Sequence, residues 1–235
     1  MEKNQYNLCL EVLRRLDKAG VLKNFVLIGS WCLLFYKDYF AEINYSPSIK
    51  TRDIDFLVPR PSAIKTKANI FELVKDLGFI VGFKGREGYI VLEHPELEVE
   101  FLVPERGKGS DIPTPLPQLG LNAQALRFLE LLSRDTIQVE IEDISLPLPH
   151  PANFGLHKLI IASRRRQKDK AAKDREAGLK ILKALIEKQE STHVKHVIDS
   201  LPEKWQGVIL KELGDADETD LIKILFAEQR SAGRS

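Results

Sequence analysis

Two aspartates flank one isoleucine in Asp53-Ile54-Asp55, and an apolar run, Phe56-Leu57-Val58, follows before Pro59. In an extended strand alternate side chains share a face, so the two carboxylates emerge together, about 6.6 Å apart along the strand. Ile54, Phe56 and Val58 then point into a core. Like charges fixed that closely repel unless a cation lies between them, and Mg²⁺ favours such hard oxygen ligands and often takes substrate phosphates too. A second acidic strand follows: Glu98-Val99-Glu100-Phe101-Leu102-Val103-Pro104. Val99, Phe101 and Val103 take its core face, which leaves Glu98 and Glu100 on the other. The likeness of the two strands is expected of any two buried strands and does not imply a duplicated domain. A third carboxylate beside the first pair would complete a site for two divalent ions. One would help deprotonate an attacking hydroxyl, and the other would clamp the phosphates and the leaving oxygen.

The elements around these residues set how they are held. Tyr6 to Lys18 has Cys9, Val12, Leu13 and Leu16 at helical spacing, and Gly20 stops it. Phe25 to Ile28 is a short, wholly apolar strand that ends at Gly29-Ser30. A helix from Trp31 to about Phe40 follows, with the Ser30 hydroxyl as its expected cap and its positive dipole end facing the turn. Ser62 to Leu77 reads as an amphipathic helix closed by Gly78. Phe79 to Phe83 and Tyr89 to Glu93 read as a hairpin about Lys84-Gly85-Arg86-Glu87-Gly88. Gly107 to Gln118, rich in Gly and Pro, is expected to connect two lobes, 1–106 and 107–235. Beyond it, Leu121 to Ser133 is expected to be helical, and Thr136 to Ile141 with Ile144 to Leu148 to form a hairpin. Helices are then expected over Phe154 to Arg166, Lys170 to Lys188, Thr192 to Ser200, Glu203 to Leu213 and Glu218 to Arg230. The fold class is α/β (α+β): a small mixed sheet carrying the acids, then a mostly helical lobe.

Composition narrows the chemistry. A chain of 235 residues with 43% hydrophobic and 29% charged residues can bury a substantial core. A net charge of +1 argues against wholesale binding of polyanions. Cys9 and Cys32 lack CxxC spacing and lie among apolar residues, so reduced core thiols and a cytoplasmic location are expected. The N-terminal residues have no signal-peptide pattern, and no apolar run is long enough to span a bilayer. No Gly-x-Ser-x-Gly and no P-loop pattern occurs, and His150 and His157 lack companions at zinc-ligand spacing.

Ile28-Gly29-Ser30 followed by Asp53-Ile54-Asp55-Phe56 resembles the signature of the DNA polymerase β-type nucleotidyltransferase superfamily. That signature is a hydrophobic residue, Gly, then Gly or Ser, with a later acid-hydrophobic-acid trio and a third acid from a nearby strand. The spacing is similar to that of a branch of bacterial nucleotidyltransferases and abortive-infection-type toxins. Phe154-Gly155-Leu156-His157-Lys158-Leu159, Arg164-Arg165-Arg166 and Lys173-Asp174 resemble the helical lobe of that branch. The resemblance covers about two thirds of the chain. It implies that Gly29 and Ser30 hold the triphosphate of an incoming NTP, and that Asp53 and Asp55 bind Mg²⁺. The third acid falls best on Glu100, where many relatives have Asp, with Glu98 in reserve on the same face. It further implies transfer of a nucleoside monophosphate to a hydroxyl or phosphate acceptor. A small molecule, an RNA end and a protein hydroxyl all fit as that acceptor.

Lys158 has two readings: a cleft lysine reaching a nucleotide phosphate, or a snorkelling surface lysine. Asp174 lies on the apolar stripe of its helix, and a buried carboxylate needs a partner. Lys158 or one of Arg164 to Arg166 is the natural choice, which favours a structural salt bridge between helices over direct catalysis by Asp174. The basic run from Arg164 to Lys173 is either a solvated face or a guide for an acidic acceptor. Two other functions stand as alternatives. One is a nucleotidyltransferase fold without catalysis, acting as a regulatory partner of toxin–antitoxin type; the other is a metal-dependent nuclease.

Overall fold

The computed structural model describes residues 3–47, 51–105, 107 and 112–226. Two compact units emerge: Met1–Tyr39 with Ser46–Pro149, and Phe40–Tyr45 with His150–Ser235. The first opens with α1 (Lys3–Lys18), which buries Cys9, Leu10, Val12, Leu13 and Leu16 along one face. Next come β1 (Val26–Ile28), α2 (Trp31–Phe35), β2 (Asp53–Leu57) and α3 (Ile70–Val74). The hairpin β3 (Ile80–Lys84) and β4 (Tyr89–Glu93) follows, then β5 (Glu98–Pro104), β6 (Thr114–Leu116), β7 (Leu121–Leu126) and α4 (Glu130–Arg134). A second hairpin, β8 (Thr136–Ile141) and β9 (Ile144–Pro149), closes the unit, with β9 packed against β1.

The main sheet runs in the order β1-β2-β5-β4-β3 and is mixed. β2 and β5 are parallel neighbours, while β1, β4 and β3 join their neighbours antiparallel. One sheet face is apolar around three rings. Phe25 lies 5.3 Å from Phe101 and 5.7 Å from Phe56 between ring centroids, and Phe56 and Phe101 stack at 5.5 Å. Ile54, Phe56, Val99 and Phe101 are all at most 1% exposed there. Burial on this scale, about 25 cal/mol per Å² of apolar surface, fixes the register of β2 and β5. A one-residue slip would turn those side chains to the acidic face.

The second unit is helical: α5 (Pro151–Ala162), α6 (Lys168–Glu187), α7 (Ser191–Asp199), α8 (Glu203–Asp215) and α9 (Thr219–Phe226). Every residue of α5 but Ile161 is buried, as expected of a helix that others surround. α5 crosses α6 at two glycines. A Cβ on Gly178 would meet the Gly155 carbonyl oxygen at 2.8 Å, so the backbones approach more closely than any side chain permits.

Several boundaries differ from those the sequence suggests. The division expected at residue 107 falls after Pro149. The cause is β7, which pairs parallel with the end of β5 (Leu102↔Gln124 to Pro104↔Leu126) and returns that segment to the sheet. The expected helix over 121–133 is therefore a strand and a five-residue helix. The helix expected from Ser62 starts only at Ile70, where Asn69 caps it by accepting from the Glu72 amide at 3.3 Å. α2 spans five residues rather than ten, and Ser30 makes no side-chain capping bond. The last helix is described to Phe226, so its expected end at Arg230 lies outside the described residues, as do 108–111 of the Gly/Pro-rich connector. Both cysteines are buried, the Cys32 thiol donating to the Leu27 carbonyl, and burial pushes the Cys9 thiol well above its usual range.

Candidate active site

The acids lie on the sheet face opposite the three phenylalanine rings. The β2–β5 register sets Asp53 beside Glu98 and Asp55 beside Glu100. Neighbouring strands are about 4.8 Å apart, so four carboxylates leave one side of two adjacent strands. β4 adds Glu93 opposite Glu98, and β1 brings Ile28 opposite Asp55. Asp53 is exposed; Asp55, Glu98 and Glu100 are half-buried.

Gly29 follows Ile28 with φ of +76°, a left-handed conformation that side chains disfavour. A Cβ at this position would lie 2.3 Å from the Asp55 Oδ2. The glycine thus serves both the turn and the close approach of the Asp55 carboxylate to the backbone. Tyr89, on β4, reports the same convergence. Burial, and then the charges of Glu100, Asp55 and Asp53, hold its phenol above the ordinary range.

One residue of this face was not anticipated. Lys84, at the end of the edge strand β3, forms ion pairs with Glu98 and, at 2.9 Å, with Glu100. The sequence presents it only as the first residue of a hairpin turn. Its position on the acidic face follows from β3 pairing outside β4, which no local pattern states. A cavity of about 510 Å³ lies elsewhere in the unit, beside Pro59 after β2 and Pro104 at the end of β5, and takes in none of these acids.

Lys158 and Asp174 belong to the helical unit, and both are buried. The Lys158 Nζ donates to Asp174 Oδ1 at 2.7 Å, and Arg165 Nε donates to Asp174 Oδ2 at 2.8 Å. This is the interhelical salt bridge that the stripe position of Asp174 demands. Burial pulls the Asp174 carboxyl up, but Lys158 and Arg165 outweigh it and hold the group below its usual range. Beside them, burial and then the Lys158 charge pull His157 down to about 3. Its Nε2 has no hydrogen-bond partner among the described residues. The rest of the run from Arg164 to Lys173 is exposed or nearly so.

A mixed sheet with paired acidic strands, a glycine turn against one acid and a helical second unit define a nucleotidyltransferase-type fold. The chain belongs to the nucleotidyltransferase family, whose model matches residues 7–202. Among solved structures, it is similar to an antigenic nucleotidyltransferase-like protein from Paracoccidioides brasiliensis. That match has 15% identity and a TM-score of 0.55, over 96% of this chain and 94% of the other. It also matches ANT(2″)-Ia in complex with adenylyl-2″-tobramycin, at 14% identity and a TM-score of 0.47, over 83% of this chain and 97% of the other. No curated protein matches the sequence. No helix among the described residues is long and apolar enough to cross a membrane.

Proposed function

We propose that this nucleotidyltransferase moves a nucleoside monophosphate from an NTP to a hydroxyl or phosphate acceptor, with Mg²⁺ held by Asp53, Asp55 and Glu100. The observation that carries this reading is the β2–β5 register, which sets Asp55 beside Glu100 while the Asp55 carboxylate rests against Gly29. The donor set suits the ion: all three ligands are hard carboxylate oxygens, on rigid adjacent strands. Two ions would be accommodated if Glu98 or phosphate oxygens joined them. When bound, magnesium neutralises triphosphate charge and eases deprotonation of the acceptor.

The chain's own part is positioning. Asp53 and Asp55 fix the metal position, because their strand is locked by the aromatic face beneath. The Gly29-Ser30 turn would offer backbone N–H groups to the triphosphate beside the Asp55 carboxylate. Either Glu100, the third acid with its longer arm, or a metal-bound water would take up the acceptor proton. Phosphoryl chemistry of this kind depends on orientation and charge neutralisation rather than on a reactive side chain. Lys158 we assign to the fold rather than to the nucleotide, since Asp174 occupies its ammonium. The likeness of residues 154–174 to the toxin-containing bacterial branch supports placing the chain there, with cytoplasmic substrates.

Incubation with each NTP labelled at the α-phosphate, Mg²⁺ and total cell extract tests this reading. Label should pass to one fraction of the extract in the presence of one or more NTPs and not pass with Asp55→Asn. Transfer from a γ-labelled NTP instead would mark a kinase-like reaction. Degradation of nucleic acid without NTP would favour the nuclease reading.

A further inference from the structure

The acidic face carries its own cation. β3 is two strands away from β5, with β4 between them, so only a long side chain can cross that distance. On the intervening strand Tyr89 stands opposite Lys84 and Val91 opposite Glu100, while Gly82, with no side chain of its own, leaves room for the Glu93 carboxylate, whose Oε1 lies 2.3 Å from where a Cβ would be. The Lys84 side chain reaches past this strand to both Glu98 and Glu100. Lys84 is the more exposed partner, its side chain 37% accessible against 17% and 15% for the two glutamates. An ammonium is a compact charge with three donors, able to bridge two carboxylates and to leave one of them without losing the other.

We propose that Lys84 is a resident counter-cation of this site: anchored on Glu98, it occupies Glu100 until a divalent ion takes that carboxylate, and so sets how tightly the metal is held. The inference rests on the metal-binding reading of Asp53, Asp55 and Glu100. Five carboxylates, Asp53, Asp55, Glu93, Glu98 and Glu100, share this side of the sheet, and mutual repulsion alone would make the face bind cations strongly. A lysine tethered at the edge offsets part of that charge without a soluble ion. It also assigns different tasks to the two glutamates. Glu98 holds the lysine, and Glu100 alternates between lysine and metal. Lys84 is thus a positioning residue acting through Glu100.

The test is Mn²⁺ binding to the full chain without nucleotide, read by the loss of the free-ion paramagnetic resonance signal. Lys84→Met should bind Mn²⁺ about tenfold more tightly, the scale of one charge-assisted hydrogen bond. Lys84→Arg should stay near the wild type, and Lys84→Gln should follow Met if the Met variant folds poorly. In a Glu100→Gln background, adding Lys84→Met should no longer tighten binding, because the contested carboxylate is gone. Unchanged or weaker binding by Lys84→Met, or equal tightening in both backgrounds, overturns the proposal. Asp55→Asn separates the two levels. If it abolishes Mn²⁺ binding while Lys84→Met changes nothing, only the Lys84 role falls. If it leaves Mn²⁺ binding intact, the metal reading falls and the Lys84 role with it.

Discussion

The two charged clusters of this protein are built on opposite principles. On the sheet, five carboxylates and one lysine share a face among the described residues, all at least partly open to solvent. In the helical unit, Asp174 is enclosed by Lys158 and Arg165 and is itself buried. The first cluster has surplus charge, which costs stability and, on the proposed reading, holds the metal. The second leaves little to offer a ligand, because each oxygen of its carboxylate is satisfied. Surplus marks a site of chemistry, and satisfaction marks a structural joint.

The largest effect expected is at the joint. Asp174→Ala leaves the Lys158 ammonium buried without its partner and should cost about 3–5 kcal/mol in urea unfolding. Replacing both residues by Met and Leu of similar volume should recover most of that. If Asp174→Ala instead left stability unchanged, the two clusters would not differ in kind.

The mirror-image result is expected on the sheet. Asp55→Asn should lower the transfer rate by about 10²–10³-fold, the scale of losing one preorganised electrostatic contact to the transition state. The melting temperature should hold or rise as like-charge repulsion is relieved. A large stability loss with little change in rate would reverse the assignment of the clusters.

Gly29→Ala should show a smaller, mixed effect. The positive φ and the clash with Asp55 together should cost about 1–2 kcal/mol. Combining it with Asp55→Ala should cost less than the sum, because the clash is then absent. Strict additivity would mean that the carboxylate does not rest on the turn.

The last effect is one of pH. His157 has a folded pKa below its unfolded value, so the unfolded chain takes up the proton first. Its contribution is therefore complete above about pH 6.5 and is lost as pH falls toward 3, at up to about 1.4 kcal/mol per unit. Asp174, also depressed, adds a further loss at lower pH, below the ordinary carboxylate range. Denaturation midpoints from pH 7 to 5 should fall for the wild type and flatten for His157→Leu. An equal slope in both would place the titration elsewhere.

The sequence made some of this legible for physical reasons. The acids of β2 and β5 were readable because strict alternation with Ile54, Phe56, Val99 and Phe101 leaves them one face. The Lys158–Asp174 bridge was foreshadowed by a carboxylate on an apolar stripe. β7 was not readable: Leu121 to Leu132 satisfies both strand and helix spacing, and a nonlocal pairing with β5 decides it. The late start of α3 had a usable signal in Asn69 and Glu72, a capping pair three residues apart. Lys84 had none, since its role depends on the strand order β5-β4-β3.

The central claim is most directly tested by pyrophosphate release. Purified protein with the NTP and extract fraction that take label should release one pyrophosphate per nucleotide transferred. Asp55→Asn, with an unaltered melting curve, should release none above background. Stoichiometric release by a folded Asp55→Asn protein would contradict the account, because the chemistry would then not run through the acids of β2 and β5.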